Sequence, residues 1–180
     1  MDANPVNPVK PIILPGGYLL RCLTANDNAA MAEVIRTVSS EFGLSAAKGY
    51  GVADPNLDNL NACYPSPDAC YWVICLNGHI LGGAGIAPLA GVDTKSGYCE
   101  LQKMYFLPTL RGKAIGKLLV QHALTFARQR GYRYCYLETT APLKGALKLY
   151  LSLGFQHLPA PLGHTGHDAC ELPMLLTLTP

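Results

Sequence analysis

From Leu101 to Phe106 the chain reads as a strand, and from Arg111 to Lys117 it becomes a turn holding two glycines and three cations that opens into a helix. Those residue types at that spacing can hold an anion. Backbone amides in the first turn of a helix have no partner inside the helix and carry partial positive charge, which suits phosphate oxygens. Gly112 and Gly116 let the backbone approach a ligand closely, while Arg111, Lys113 and Lys117 add charge. The spacing predicts a pyrophosphate cradle over Arg111, Gly112, Lys113, Ala114, Ile115, Gly116 and Lys117. Taken alone, these residues are explained equally well by an ordinary strand-to-helix connection.

Such a turn works only if the elements around it hold it still. Tyr98–Phe106 is the strand feeding it. Leu118, Leu119, Phe126 and Ala127 recur at helical spacing after it, and Arg130 followed by Gly131 is a stop signal. Tyr132–Thr139 is rich in strand formers, and a second helix holds Ala146 to Leu153. Upstream, Tyr18–Leu23 reads as a strand. Asn26-Asp27-Asn28 offers caps for a helix over Ala29–Ser40, whose Ala30, Val34, Ile35 and Val38 share a face. Asn77-Gly78 joins strands at Ala69–Leu76 and Ile80–Pro88 as a hairpin, the second loosened by Gly82, Gly83 and Gly85. Glu41 to Pro67 is a long, partly helical connection of the kind that often serves binding, and the last strands fall near Phe155–Leu158 and Cys170–Leu178. Residues 1–16, punctuated by Pro5, Pro8, Pro11 and Pro15, read as a flexible leader before a single domain over residues 17–180. Strands in series followed by helix–strand alternation give an α/β domain with a mixed, mostly antiparallel sheet flanked by helices.

Two segments in this order resemble the GNAT N-acetyltransferases. Arg111-Gly112-Lys113-Ala114-Ile115-Gly116 is similar to the family's acyl-CoA pyrophosphate signature, Gln/Arg-x-x-Gly-x-Gly/Ala. The run from Ala146 through Leu149 and Tyr150 to Gly154-Phe155 is similar to its Ala-x-x-Leu-Tyr-x-x-x-Gly-Phe motif. The resemblance spans Tyr18 to Leu178 and is most specific between Glu100 and Phe155. It implies the GNAT sheet, acetyl-CoA as cosubstrate, and a strand whose Met104, Tyr105 and Phe106 hold the pantetheine arm by backbone hydrogen bonds near a β-bulge. The sequence departs from the pattern twice. Ala114 stands where Gly is usual, which is tolerable if it keeps helical dihedrals, and Leu143 replaces an Asn that contacts the cofactor in many members.

Acyl transfer from a thioester to an amine needs a base for the amine and an acid for the departing thiolate. Tyr150 is the candidate acid, since a phenol with a pKa near 10 stays protonated at neutral pH. Packing on the buried stripe of its helix is the other reading of the same residue. Glu100 is the first candidate base and Glu138 the second. Burial would raise a carboxyl towards neutrality, whereas a solvated strand-end glutamate has no such role. Gly163 to Asp168 carries His164 and His167 on a Gly-rich loop. It reads as a plain loop, as a wall of the acceptor site, or least as a metal site, because its spacing fixes no geometry. No metal is expected.

The remaining composition narrows the class. A net charge of +2, with no dense basic block, excludes nucleic-acid binding. No apolar run reaches the ~18 residues of a membrane span, and the N-terminus lacks the order of a secretion signal, so a cytoplasmic location is expected. The seven cysteines form no CxxC pair, and Cys22, Cys70, Cys75, Cys99 and Cys135 fall in strands as small core residues. The resulting expectation is direct acetyl transfer in a ternary complex to a small-molecule or peptide amine, by an enzyme that could form a homodimer. A Cys–His ping-pong acyltransferase and a CoA-binding sensor without turnover are the rivals. Glu41, the stretch Lys48–Tyr64 and the loop His164–Asp168 are the segments expected to shape the acceptor pocket.

Overall fold

The computed structural model describes residues 10–166 and 169–178. In chain order its elements are β1 (Ile12–Leu14), β2 (Tyr18–Cys22), α1 (Asn28–Glu41), β3 (Cys70–Leu76), β4 (His79–Pro88), β5 (Tyr98–Phe106), α2 (Ile115–Gln129), β6 (Tyr134–Thr139), α3 (Lys144–Ser152), β7 (Gln156–His157) and β8 (Leu172–Thr177). The eight strands form one sheet in the order β1-β2-β3-β4-β5-β6-β8-β7. Antiparallel pairing runs through it except where β5 meets β6 in parallel. This is the mixed, mostly antiparallel sheet expected.

Alternation along β3 divides the core between two faces. Tyr71, Val73 and Cys75 pack with Met31, Val34, Ile35 and Val38 of α1. Trp72 and Ile74 point the other way, to Leu119, Val120, Ala123 and Ala127 of α2 and to Tyr150 of α3. On α1 the expected face is right except at Ala30, which is exposed while Met31 fills the core. The β3–β4 turn has positive φ at both Asn77 (51°) and Gly78 (81°), as a two-residue hairpin with strand-matching twist requires. The connection before β3 folds into short 3-10 turns, including Gly51–Ala53 and Leu57–Cys63.

Part of the stretch expected as a flexible leader through residue 16 is instead a strand. Ile12–Leu14 turns back through Pro15–Gly17 and pairs with Tyr18–Leu20, because Gly16 and Gly17 adopt the positive φ that a tight reversal needs. Residues 1–9 lie outside the described residues.

Two irregularities of β5 open the sheet. Its pairing with β6 covers Tyr98↔Tyr134, Cys99↔Cys135 and Glu100↔Tyr136 and then stops. On the other side, Gly83 pairs with Tyr105 and Gly85 with Gln102, so Lys103 and Met104 together oppose Ala84. That is a β-bulge. Lys103 takes φ of 47° there. The Tyr71 hydroxyl donates to the Lys103 carbonyl at 2.8 Å, and Lys103 Nζ pairs with Asp54 Oδ2 at 2.7 Å. These bonds hold a conformation that a lysine rarely adopts alone.

Candidate active site

The bulge reverses the facing of β5. Cys99 and Leu101 pack on the α2 side before it, whereas Met104 and Phe106 do so after it, and Tyr105 takes the α1 side. Beyond Glu100 the free margin of β5 therefore presents Met104, Tyr105 and Phe106 to a cleft of about 280 Å³. Arg111, Gly112, Ala114, Gly116 and Lys117 line the same cleft, with Leu143, Gly145 and Leu149 opposite. Leu118 is the first amide of α2 to reach a carbonyl, that of Ala114 at 3.2 Å. The amides of Ile115, Gly116 and Lys117 come before it and have no intrahelical acceptor. No side chain caps this end and no acidic residue lies in its first turn. A phosphate-sized anion fits that setting, which is the chemical test of a CoA site here.

Within the cradle the side chains divide their work. Gly116 and Lys117 face the cleft. Lys113 instead donates to the Tyr18 hydroxyl at 2.9 Å, and Ile115 is buried in the core, so these two offer the cleft only backbone. Arg111 was expected to supply charge to a phosphate. Its guanidinium is held bidentate by Glu41 at 2.6 and 2.7 Å, while its Nε donates to the Phe106 carbonyl at 2.9 Å. Arg111 thus ties the turn to α1 and to the end of β5. Glu41, expected near the acceptor, is spent on this pair. Ala114 departs from its expected helical dihedrals, with φ 60° and ψ 0°. A methyl-bearing residue in the left-handed region costs on the order of 1 kcal/mol, and the position is where the resembled pattern has Gly.

A second cavity, about 60 Å³, meets the first at Met104, Tyr105 and Leu143. Glu100, Glu138, Tyr150 and Cys170 line it, with Tyr50 and Gly51 from the long connection. Glu100 is 2 % exposed. Burial raises its carboxyl to about 7, the neighbouring charge of Glu138 adds to the rise, and a hydrogen bond from Gln102 opposes it. Gln102 Nε2 donates to Glu100 Oε2 at 2.7 Å, and Gln102 Oε1 accepts from the Tyr64 hydroxyl at 2.9 Å. Glu138 accepts from the Tyr136 hydroxyl at 2.6 Å and from Thr165 at 2.7 Å. The Tyr150 hydroxyl points to Met104 Sδ at 3.7 Å, and burial pushes its pKa well above the ordinary phenol value. The Tyr150 ring packs against Phe155, and the residue lines the inner cavity.

The thiols here are not activated. Burial and nearby carboxylates push Cys170 up to about 11, and Cys135, held by its contact with Cys99 and by burial, lies well above an ordinary thiol. In the loop expected at residues 163–168, the Thr165 hydroxyl donates to Glu138, and the His164 amide donates to the Ala90 carbonyl at 2.8 Å. His167 and Asp168 lie outside the described residues. Tyr64, Gln102, Lys103 and Asp54 were not singled out as site residues. Gln102 was findable, since it stands two positions from Glu100 on one strand face.

A family model described as "Acetyltransferase (GNAT) family" matches residues 37–155. The chain is 54% identical over 166 residues to the N-acetyltransferase YjgM of Escherichia coli K12, covering 92% of this chain and 98% of that protein. It is also 37% identical over 94 residues to mouse N-acetylaspartate synthetase, a match spanning 52% of this chain but only 30% of the longer relative. Among solved structures, a GNAT acetyltransferase from Staphylococcus aureus Mu50 superimposes with a TM-score of 0.77 at 19% identity, covering 90% of this chain and 99% of that one. The Salmonella typhimurium acetyltransferase yncA, solved with acetyl-CoA, gives 0.69 at 22%, covering 91% and 95%. At those identities the structural likeness is one of fold. By that family match over residues 37–155 and that 54% identity, the chain belongs to the GNAT acetyltransferase family.

Proposed function

We propose that this acetyl-CoA-dependent N-acetyltransferase moves the acetyl group directly to a primary amine while both substrates are bound. The observation that carries the reading is the meeting of the two cavities at Met104 and Tyr105, with Glu100 and Tyr150 on the inner one. Acetyl-CoA supplies the acetyl group and a thiolate leaving group. The amides of residues 112–117 hold the pyrophosphate, and the β5 margin from Met104 to Phe106 holds the pantetheine arm. The Glu100 carboxylate, directly or through water, takes the proton that the attacking amine must lose. The Tyr150 hydroxyl gives a proton to the departing sulfur. A buried phenol with a raised pKa keeps that proton at neutral pH.

The acceptor carries a primary amine, as a small molecule or on a peptide. The name of mouse N-acetylaspartate synthetase puts amino-acid amines first in an assay panel. Among the described residues no helix is long and apolar enough to cross a membrane. The reading extends to a cytoplasmic enzyme, which cell fractionation tests, and light scattering decides between a monomer and a homodimer.

Release of free CoA thiol across an amine panel tests turnover. With an active amine in hand, initial-rate plots against each substrate intersect, and acetyl-CoA alone leaves the protein's intact mass unchanged. Parallel plots with an acetylated Cys135 or Cys99 would instead establish a ping-pong route.

A further inference from the structure

Cys22 and Cys70 lie on the adjacent antiparallel strands β2 and β3, and their sulfurs are 3.2 Å apart. The register explains the meeting. Cys22 stands opposite Trp72, and Cys70, two residues before Trp72, projects from the same face. Their sequence context marks both only as core filler, yet neither is fully buried. Both line a cavity of about 310 Å³, walled also by Pro65-Ser66-Pro67, by Phe126 of α2 and by Arg130 just after that helix. None of Glu100, Met104, Tyr105 or Tyr150 lines it. A small oxidant thus has a way to this pair that does not pass through the acyl-transfer site.

We propose that Cys22 and Cys70 form a peroxide-reactive dithiol site that closes reversibly to a disulfide. In the first step the Cys22 thiolate attacks one oxygen of hydrogen peroxide. The O–O bond breaks, the departing hydroxide gains a proton to leave as water, and Cys22 becomes a sulfenic acid. In the second, Cys70 attacks that sulfur: the S–S bond forms, the S–O bond breaks, and a second water carries away the Cys70 proton. Two thiols and one peroxide become one disulfide and two waters, the sulfurs losing the two electrons the peroxide gains. Sulfurs already in contact at 3.2 Å need about 1 Å of travel to reach the ~2 Å bond. The same contact eases the first ionisation. The contact with Cys70, with Arg21 nearby, brings Cys22 down to about 7, and the second proton of the pair is correspondingly harder to remove.

The test is oxidation of the whole chain by a small excess of hydrogen peroxide without acyl substrates. Remaining thiols are then blocked with N-ethylmaleimide and the peptides mapped by mass. The expected product is a Cys22–Cys70 linked peptide, with an intact-mass loss of about 2 Da before alkylation and full reversal by dithiothreitol. The other five thiols stay alkylatable. In Cys70→Ser, dimedone should label Cys22, because the sulfenic acid has lost its resolving partner. The proposal is overturned if Cys22 and Cys70 both stay alkylatable while other thiols oxidise, if another pair bridges, or if either sulfur goes to sulfinic acid unlinked. The wild-type map decides the matter even if the variant does not fold. Because the readout is covalent mass, it stands or falls independently of acetyl transfer.

Discussion

At the residue scale the proposed chemistry rests on two ionisable groups whose surroundings push both pKa values up, with different results. For Glu100 the rise to about 7 puts the carboxyl at its titration midpoint near neutrality. A base works only when ionised, so turnover should climb as pH rises through about 7. Glu100→Gln should flatten that acidic limb and lower the rate throughout. An unchanged limb in the variant's pH profile would move the role to Glu138. For Tyr150 the rise only keeps the proton on. Tyr150→Phe should lower kcat by ~10²–10⁴-fold with little change in the KM for acetyl-CoA, as loss of a positioned acid does. A near-normal kcat would leave the hydroxyl with nothing but its contact to Met104. Both residues were legible in the chain, Glu100 as the start of the strand before the cradle and Tyr150 within a motif. The bonds that aim Glu100 were not. Tyr64 stands 38 positions from Gln102 in an irregular connection, and no periodicity links them.

At the element scale the strand–turn–helix from Tyr98 to Gln129 is the working part, and most of it follows from the order of apolar residues, glycines and caps. The bulge does not. Lys103 is no residue one would choose for positive φ, and what holds it there, Tyr71 and Asp54, comes from other elements. Ala114 is a similar case, since its dihedrals are set by the turn it must close rather than by its own preference. Gly116 is where the element's tolerance ends. A Cβ added there would sit 2.8 Å from Cε2 of Phe106, and that ring borders the cleft. Gly116→Val should drive the ring into the space meant for the cosubstrate and weaken CoA binding about tenfold or more, an overpacking cost of order 1–3 kcal/mol. Calorimetry reads the affinity, and circular dichroism checks that α2 survives. Unchanged affinity in a folded variant would put the cradle elsewhere.

For the molecule as a whole, the sheet class and the order of elements after β1 were readable because β2 to β5 are neighbours in space in the order of the sequence, whereas β1 falls inside the expected leader. The place of β8 between β6 and β7 was not, for no local pattern tells a final strand to insert rather than append. This architecture also bears on the order in which the molecule is made. The strands from β1 to β5 pair in chain order, β2 with β3 across the long connection and the others locally, so this part needs no residue beyond Phe106 to pair as it leaves the ribosome. The cleft has no such early existence. One of its walls is residues 104–106 and the other is Leu143, Gly145 and Leu149, and the join between them is a three-pair parallel seam that waits for β6. A nascent chain therefore has a sheet before it has this cleft, whose second wall arrives only once synthesis has passed α3.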